Sequence, residues 1–220
     1  MIVFNGMWKS FSLYFFGSSF LGVMFFGIFF THFLFADAPN CSLYPDNFNG
    51  SGTFSDPFEI TTLIELQCVG GGAGTLSAHY KIMNDIDASD TNTWNDGAGF
   101  IPIGNATTPF TGGFDGSGYI IENLYINRPF SDFIGFFGDT NAQYIRNVGL
   151  VNVSITGGYR TGGLAGKLQT LQQNPVQSIF VTGQVFGGVS NAMVGGLASV
   201  NFALITNSYT DVTVKGGYKG

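Results

Sequence analysis

The chain has 220 residues, of which 33 are Gly and 24 are Phe, and only 10% of its side chains are charged. A typical soluble domain carries about 25% charged residues and roughly half this share of Gly. Apolar residues make up 45% of the sequence and no Gly-x-y period is present, which excludes collagen and ordinary low-complexity disorder. A net charge of −6, with three Arg in total, argues against nucleic-acid binding, which needs a basic surface.

The N-terminal segment is a long apolar stretch that predicts export. Eleven Phe lie before residue 37, and no charged residue occurs from Ser10 through Ala36. Lys9 precedes the stretch, and the small residues Ala36 and Ala38 end it, as in a secretory signal. The stretch is also long enough to cross about 30 Å of hydrocarbon as a helix. We therefore expect residues 1–36 to be a signal peptide or an N-terminal membrane anchor, and the remainder to be secreted or at the cell surface.

Two cysteines, Cys41 and Cys68, are the only ones in the sequence, and both follow the export segment. An oxidising compartment favours one disulfide between them. On the chain-entropy model, closing a loop of about 28 residues stabilises the fold by roughly 3–4 kcal/mol. Two free thiols are the alternative.

Residues 37–108 show no internal repetition and are expected to form an entry or cap region. In Ile60–Cys68 the apolar residues are spaced by three and four, which predicts a short amphipathic helix with Thr61 or Thr62 as its N-cap. Short strands separated by polar loops are predicted around Tyr80, Ile82 and Ile86 and over Phe100–Ile103.

Self-similarity begins at residue 109 and is the strongest pattern in the chain. A short block recurs three times, as IGFFGD (Ile134–Asp139), GGLAGK (Gly162–Lys167) and GGLASV (Gly195–Val200). Aligning the blocks at Gly135, Gly163 and Gly196 gives spacings of 28 and 33 residues. Residues 109–220 are therefore predicted to be a domain of stacked repeats.

Each block is followed by an alternating apolar run that ends in paired Gly, in Ile145–Gly158, Ser178–Gly188 and Ile205–Gly217. In the first run Val151, Val153 and Ile155 are expected to share a buried face, with Asn152, Ser154 and Thr156 on the other face. Gly pairs suit the corners of stacked coils, where positive φ is needed and bulky side chains collide. One coil cannot bury its own apolar face, so several must stack. The pattern predicts an all-β fold, a parallel β-helix or solenoid.

The order of elements is specific enough to indicate a family. GGFDGSGYIIENLYINRP (Gly112–Pro129) is followed by the blocks above and preceded by NDIDASDTNTWNDGAGFIPIG (Asn84–Gly104). This series resembles the bacterial GLUG-repeat proteins, surface and secreted proteins related in architecture to filamentous-haemagglutinin-type adhesins. Two units depart from the pattern, with Phe136 in place of the usual Leu and Ser199 in place of Gly. The resemblance implies a right-handed parallel β-helix displayed outside the cell, and we expect the GLUG-type repeats of 109–220 to continue past Gly220.

Four carboxylates, those of Asp85, Asp87, Asp90 and Asp96, lie within twelve residues and are of the type that binds Ca²⁺. The spacing lacks the closing Glu of an EF-hand loop, and acidic, Asn-rich loops more often serve as solvated turns. We therefore predict no metal and no other cofactor, with calcium binding by this loop as the alternative.

Arrangements for catalysis are not evident in the sequence. Asp115, within FDGSG, is expected to cap a turn, because glycoside hydrolysis by the usual route needs a second carboxylate that faces the same bond. His79 is the only His after the export segment, so hydrolase triads and zinc-protease motifs lack support. The tyrosines either stack on sugars or pack within the sheets, and packing is favoured for Tyr80, Tyr119, Tyr125, Tyr144, Tyr159, Tyr209 and Tyr218.

Together these patterns predict a non-catalytic exported β-helix that acts as an adhesin or a structural stalk, with an unidentified protein or glycan as its surface ligand. No nucleic-acid partner is expected, and membrane contact is expected only through residues 1–36 if they are not cleaved. Two alternatives are a polysaccharide-active β-helix enzyme, which rests on analogy of fold alone, and an accessory repeat region of a longer exported peptidase.

Overall fold

The computed structural model describes residues 36–71, 75–171 and 174–217. Apart from Ala36, the predicted signal peptide or anchor lies outside the described residues, as does Tyr218. Within the described part of the chain, no helix is long and apolar enough to cross a membrane.

The described residues form seventeen strands, one α-helix and three 3₁₀ helices. The α-helix, α1, spans Leu63–Gln67, and the 3₁₀ helices span Thr75–Ser77, Ser89–Thr93 and Asn95–Gly97. The strands are β1 (Phe58–Ile60), β2 (His79–Ile82), β3 (Ile86–Asp87), β4 (Gly113–Asp115), β5 (Ile120–Glu122), β6 (Tyr125–Asn127), β7 (Phe137–Asp139), β8 (Tyr144–Arg146), β9 (Gly149–Gly157), β10 (Arg160–Gly162), β11 (Ala165–Leu168), β12 (Val176–Gln177), β13 (Phe180–Gly187), β14 (Met193–Gly195), β15 (Ala198–Asn201), β16 (Ile205–Thr206) and β17 (Tyr209–Lys215).

The strands stack in parallel, so that successive coils of the chain add strands to the same sheets. Sheet A runs β1-β2-β4-β8-β12-β16, and sheet B runs β3-β5-β9-β13-β17 with β6 alongside β9. Sheet C is β7-β11-β15, and β10 pairs with β14. In sheet A, Ile145 pairs with Val176 one coil later. The prediction of a parallel β-helix is therefore confirmed.

The repeat alignment agrees with the stacking register. Phe137 pairs with Ala165, and Ala165 pairs with Ala198. Each of these residues lies two places after one of the three aligned glycines, so the sequence spacings of 28 and 33 residues are the lengths of two successive coils. Phe136, which replaces the usual Leu of the repeat, is fully buried like Leu164 one coil later.

The expected alternation in β9 is wrong at one position. Val153 and Ile155 are buried as predicted, but Leu150 takes the inner position expected for Val151, which is only partly buried. The reason is Asn152, which has a φ of 54° and lies where the pairing of β9 with β13 shifts its register. An extra residue at this bulge reverses the phase of the alternation.

The core consists of apolar side chains stacked from coil to coil. In sheet A one inward row runs through all six strands as Phe58, Tyr80, Phe114, Ile145, Val176 and Ile205. Beside it the rings of Phe114, Phe136 and Phe137 meet edge to face, with centroids 4.8–5.6 Å apart. Because burying one such side chain is worth about 1.5–3 kcal/mol, the rows hold adjacent coils together.

The predicted helix is present, and its N-cap is Thr62, one of the two caps predicted from the sequence. The Thr62 hydroxyl accepts from the Glu65 amide, and the Glu65 carboxylate accepts from the Thr62 amide, which is a capping box. Ile60, the first apolar residue of the predicted segment, precedes the cap and pairs with Ile82 in sheet A.

The predicted strand Phe100–Ile103 is not formed. The carboxamide of Gln67, the last residue of α1, accepts from the Ile101 amide at 2.9 Å and donates to the Ile101 carbonyl at 3.1 Å. These two bonds satisfy the N–H and C=O groups of Ile101, which in a strand would bond to a neighbouring strand.

A disulfide ties the segment before β1 to the end of α1. It joins Cys41 and Cys68, whose Cα atoms are 5.2 Å apart.

Sheet A already includes β1 and β2, so the stack of coils extends upstream of residue 109 into the 37–108 region.

Candidate functional site

Charged side chains on the solenoid surface pair between neighbouring coils. Three acid–base pairs occupy directly opposite positions on adjacent strands, namely Glu59 with Lys81, Asp115 with Arg146, and Asp139 with Lys167. Their N–O distances are 3.1, 2.8 and 3.1 Å respectively. Since equal positions of neighbouring strands are about 4.8 Å apart, a charge on one coil is stabilised by the opposite charge on the next.

The remaining basic side chains of the described residues also contact an adjacent coil. Arg160 pairs with Asp132, which lies 28 residues earlier. Arg128 donates to two backbone carbonyls of the preceding coil at 3.3 Å. Lys215 lies 5.3 Å above the ring of Phe186, its partner in the register of sheet B. All six Lys and Arg side chains in the described part of the chain therefore hold coils together.

Asp115 caps the turn that its Gly-rich context predicts. One carboxylate oxygen accepts from the Ser117 amide at 2.8 Å and from Asn147 Nδ2 at 3.0 Å, and the other accepts from Arg146 Nε at 2.8 Å. Partial burial raises the pKa of this carboxyl, but the hydrogen bonds and the Arg146 charge outweigh burial, so the pKa lies below its ordinary value. A carboxylate held ionised in this way is a poor proton donor, whereas a glycosidase acid needs a raised pKa.

The four carboxylates of the predicted acidic loop are not brought together at one point, and two of them accept hydrogen bonds from different partners. Asp85 accepts from a backbone amide of the next coil at 2.9 Å, and Asp87 accepts from Asn123 Nδ2 at 3.1 Å. Asp90 and Asp96 lie in two different 3₁₀ helices. Across the described residues, no group of three or more His, Cys, Asp or Glu side chains is placed to hold a metal ion.

The outer face of sheet A carries an aromatic cluster, made of His79, Tyr144 and Phe54. His79, Gly113 and Tyr144 occupy the same position on three consecutive strands. Because Gly113 has no side chain, Tyr144 lies across it and places its hydroxyl 3.1 Å from His79 Nδ1, whereas a Cβ on Gly113 would meet both rings. Burial lowers the pKa of His79 and favours its neutral form.

Phe54 joins this cluster from a loop of the cap region. Its ring lies edge-on to those of His79 and Tyr144, at centroid distances of 5.6 and 5.9 Å. The loop is fixed to β2 by a 2.8 Å hydrogen bond from the His79 amide to the Gly52 carbonyl. Phe54 is nevertheless 68% exposed, so a large aromatic surface is held in position and faces solvent.

A groove of about 300 Å³ opens beside the cluster, between the coils that contain β8 and β12. Its lining is Gln143, Tyr144 and Arg146 from one coil, Asn174, Pro175 and Gln177 from the next, and Phe54 from the cap loop. Asn174 Nδ2 donates to the backbone carbonyl of Gln143 at 2.8 Å. Within the described part of the chain, the carboxamides of Gln143 and Gln177 have no hydrogen-bond partner. We call this feature the sheet A groove.

Most of the residues that form the groove were not expected from the sequence. Tyr144 is one of the tyrosines predicted either to stack on sugars or to pack within the sheets, and Tyr80, another of them, is fully buried in the core. Phe54, Gln143 and Gln177 were missed, because they meet only when coils pair. In the sequence, Gly113 and Tyr144 are as far apart as Ile145 and Val176, which pair one coil later, and this equal spacing is the signal that the sequence offers.

Two known proteins are similar to the chain. A halomucin of Haloquadratum walsbyi is 40% identical over 156 residues, which cover 68% of this chain and 2% of the halomucin. A protein of Evansella cellulosilytica, whose name describes it as a Gly-rich membrane protein, is 33% identical over 148 residues, which cover 66% of this chain and 15% of that protein. The chain thus spans a small part of the length of these curated relatives. No protein-family profile and no solved structure matches the chain.

Proposed function

We propose that the chain belongs to an exported cell-surface protein, in which the stacked coils form a stiff, non-catalytic structural element of the GLUG-repeat type. The observation that carries the proposal is that every described Lys and Arg side chain contacts an adjacent coil, four of them through an acidic side chain. Such pairs add to the continuous core and the strand ladders, so that bending the stack breaks several contacts at once. These properties suit a stalk that holds other parts of a protein away from a cell.

The surface location is supported by the relatives and by the sequence. One relative is named halomucin, and the name of the other describes it as a membrane protein. The uncharged stretch Ser10–Ala36 has the layout of an export signal. A disulfide between Cys41 and Cys68 agrees with an oxidising compartment.

A non-catalytic role is supported by how the titratable groups are used. Asp115 accepts three hydrogen bonds and has a lowered pKa. His79, whose pKa is also lowered, contacts the rings of both Phe54 and Tyr144. The contacts of Asp115 and His79 are thus those of structural residues, and neither group needs a catalytic role to explain its position.

Surface labelling of intact cells that produce the full chain tests the location. An antibody against residues 37–217 should label intact and permeabilised cells equally, while an antibody against a cytoplasmic protein should label permeabilised cells alone. Labelling of the chain only after permeabilisation would refute the surface role. N-terminal sequencing of the exported product distinguishes a cleaved signal, with a new N-terminus at Asp37, from a retained anchor.

The absence of catalysis is tested separately, by incubating the exported chain with pectin, alginate and glycosaminoglycans. We expect no release of reducing ends or unsaturated products. Release that is lost in Asp115→Asn would make the chain a polysaccharide-active enzyme and overturn the non-catalytic role.

A further inference from the structure

We propose that the sheet A groove is a binding site for a neutral polysaccharide. The inference rests on the proposed surface role and adds to it a ligand class and the residues that bind it. It is carried by the juxtaposition of an exposed, fixed aromatic ring with unpaired carboxamides on two adjacent coils.

The aromatic wall of the groove has the exposure and rigidity that sugar stacking needs. Phe side chains usually dominate cores because they bury 150–250 Å², yet Phe54 is 68% exposed. Its loop is held by hydrogen bonds from the Ser51 and Thr53 amides to the Asp56 carbonyl, both at 3.1 Å. A pyranose ring has an apolar C–H face, which can cover such a ring without displacing any contact of the core.

The floor of the groove supplies donors and acceptors from two adjacent coils. Gln143 and Gln177 each present a carboxamide, which has two N–H donors and one carbonyl acceptor. Arg146 donates through Nε to Asp115, and this leaves the terminal amino groups of its guanidinium beside the groove. Sugar hydroxyls both donate and accept, so this mixed set matches a glycan better than it matches an anion or an apolar ligand.

The charges favour a neutral glycan over an acidic one. Arg146 is the one charged side chain that lines the groove among the described residues, and Asp115 neutralises it at 2.8 Å. All fourteen acidic residues lie in the described part of the chain, with six basic ones, so the surrounding field repels polyanions. A volume of about 300 Å³ is at the lower end of the range for ligand sites, which fits a short stretch of a longer polymer.

Affinity electrophoresis of the exported chain tests the site directly. The gels contain hydroxyethyl cellulose, galactomannan, arabinoxylan or laminarin as neutral probes, and polygalacturonate, alginate or hyaluronan as acidic ones. We expect at least one neutral gel to retard the wild-type chain. Phe54→Ala should weaken that binding by about tenfold, which is the fold-change expected for one aromatic stacking contact, and Phe54→Trp should retain it.

Two further variants separate the site from general effects. Gln143→Ala with Gln177→Ala removes both free carboxamides and should also weaken retardation, with unchanged circular dichroism and thermal midpoint. Phe130→Ala is the matched control, because Phe130 is 89% exposed and lies outside the groove lining, and its retardation should equal that of the wild type.

Several outcomes would overturn the glycan site. They are retardation by none of the neutral gels, retardation by acidic gels only, and retardation that Phe54→Ala and the double Gln variant leave unchanged. Surface labelling is read independently of these gels. A chain that is labelled on intact cells but not retarded loses the glycan site alone, and a chain that is retarded but not labelled loses the surface role.

Discussion

The buried ion pair between sheet C coils gives the sharpest test of how charges stabilise the stack. Asp139 is 4% exposed and is the most buried acidic side chain among the described residues. Lys167 Nζ lies 3.1 and 3.2 Å from its two carboxylate oxygens. Lys167→Met keeps most of the aliphatic stem and leaves the carboxylate without a partner. Removing one member of a fully buried pair costs about 3–5 kcal/mol, and because the Lys167 side chain is 28% exposed, we expect about 2–3 kcal/mol.

Lys81→Met is the matched control for this substitution. Lys81 pairs with Glu59 at the same 3.1 Å, but its side chain is 35% exposed and that of Glu59 is 29% exposed. Pairs in contact with water contribute about 0–1 kcal/mol, so this variant should lose less than about 1 kcal/mol. Adding Asp139→Asn to Lys167→Met removes the unpaired charge and should recover a large part of the lost stability.

Thermal unfolding followed by circular dichroism measures these differences in one buffer. For a chain of this size 1 kcal/mol corresponds to about 2–4 °C, so Lys167→Met should lower the midpoint by roughly 4–12 °C. Equal shifts for Lys167→Met and Lys81→Met would refute the argument from burial. Failure of Asp139→Asn to recover stability in the double variant would show that the loss comes from packing and not from the unpaired charge.

Three other perturbations follow from the structure. Reduction of the chain or Cys68→Ser opens the loop that the disulfide closes, and the free energy of unfolding should fall by roughly 3–4 kcal/mol in denaturant titrations. Gly113→Ala places a methyl group against the rings of Tyr144 and His79. We expect the free energy of unfolding to fall by about 1–3 kcal/mol. The His79–Tyr144 hydrogen bond should also be lost, which the NMR signals of the imidazole would show. Because burial lowers the pKa of His79 in the folded state, the unfolded chain takes up this proton first as pH falls. Stability from this group should therefore be full above about pH 6.5 and decline as pH drops below it, and His79→Gln should remove that slope from unfolding midpoints measured between pH 5 and 8.

The repeat register could be predicted from the sequence because glycine positions report the coil length directly. The spacings between Gly135, Gly163 and Gly196 equal the strand register of sheet C. By contrast, the inner position of Leu150 could not be read from alternation, since Asn152 adopts a positive φ and adds a residue to one strand only. A period-2 pattern carries no sign of a bulge until the partner strand is known.

The structure of the N-terminal cap region could not be predicted from local sequence either, because it too depends on contacts between distant residues. Phe100–Ile103 has the apolar composition of a strand, yet a single side chain, that of Gln67, satisfies the backbone of Ile101 across 34 residues. Local sequence favours a strand, and a tertiary contact with the end of α1 decides otherwise. The Cys41–Cys68 disulfide lies beside the same helix end, so the cap depends on contacts that no local pattern encodes.

The sheet A groove lies where the regular stacking of the solenoid is interrupted. Along the outer row of sheet A, charges alternate through Glu59, Lys81, Asp115 and Arg146, and the next position, Gln177, is uncharged. Had Gln177 been acidic, it would face Arg146 from the other side and pair with its terminal amino groups. The ending of the charged row therefore leaves these donors available.

The neighbouring outer row is interrupted in the same region of the sheet. Gly113 removes one side chain between His79 and Tyr144, and the cap loop brings Phe54 over the gap. In a strictly repeated row, a side chain at position 113 would exclude the Tyr144 ring from the space that it occupies. In a stack of similar coils, a ligand site therefore requires departures from the repeat in adjacent rows, and the sheet A groove combines a missing side chain, an inserted loop and the end of a charged row.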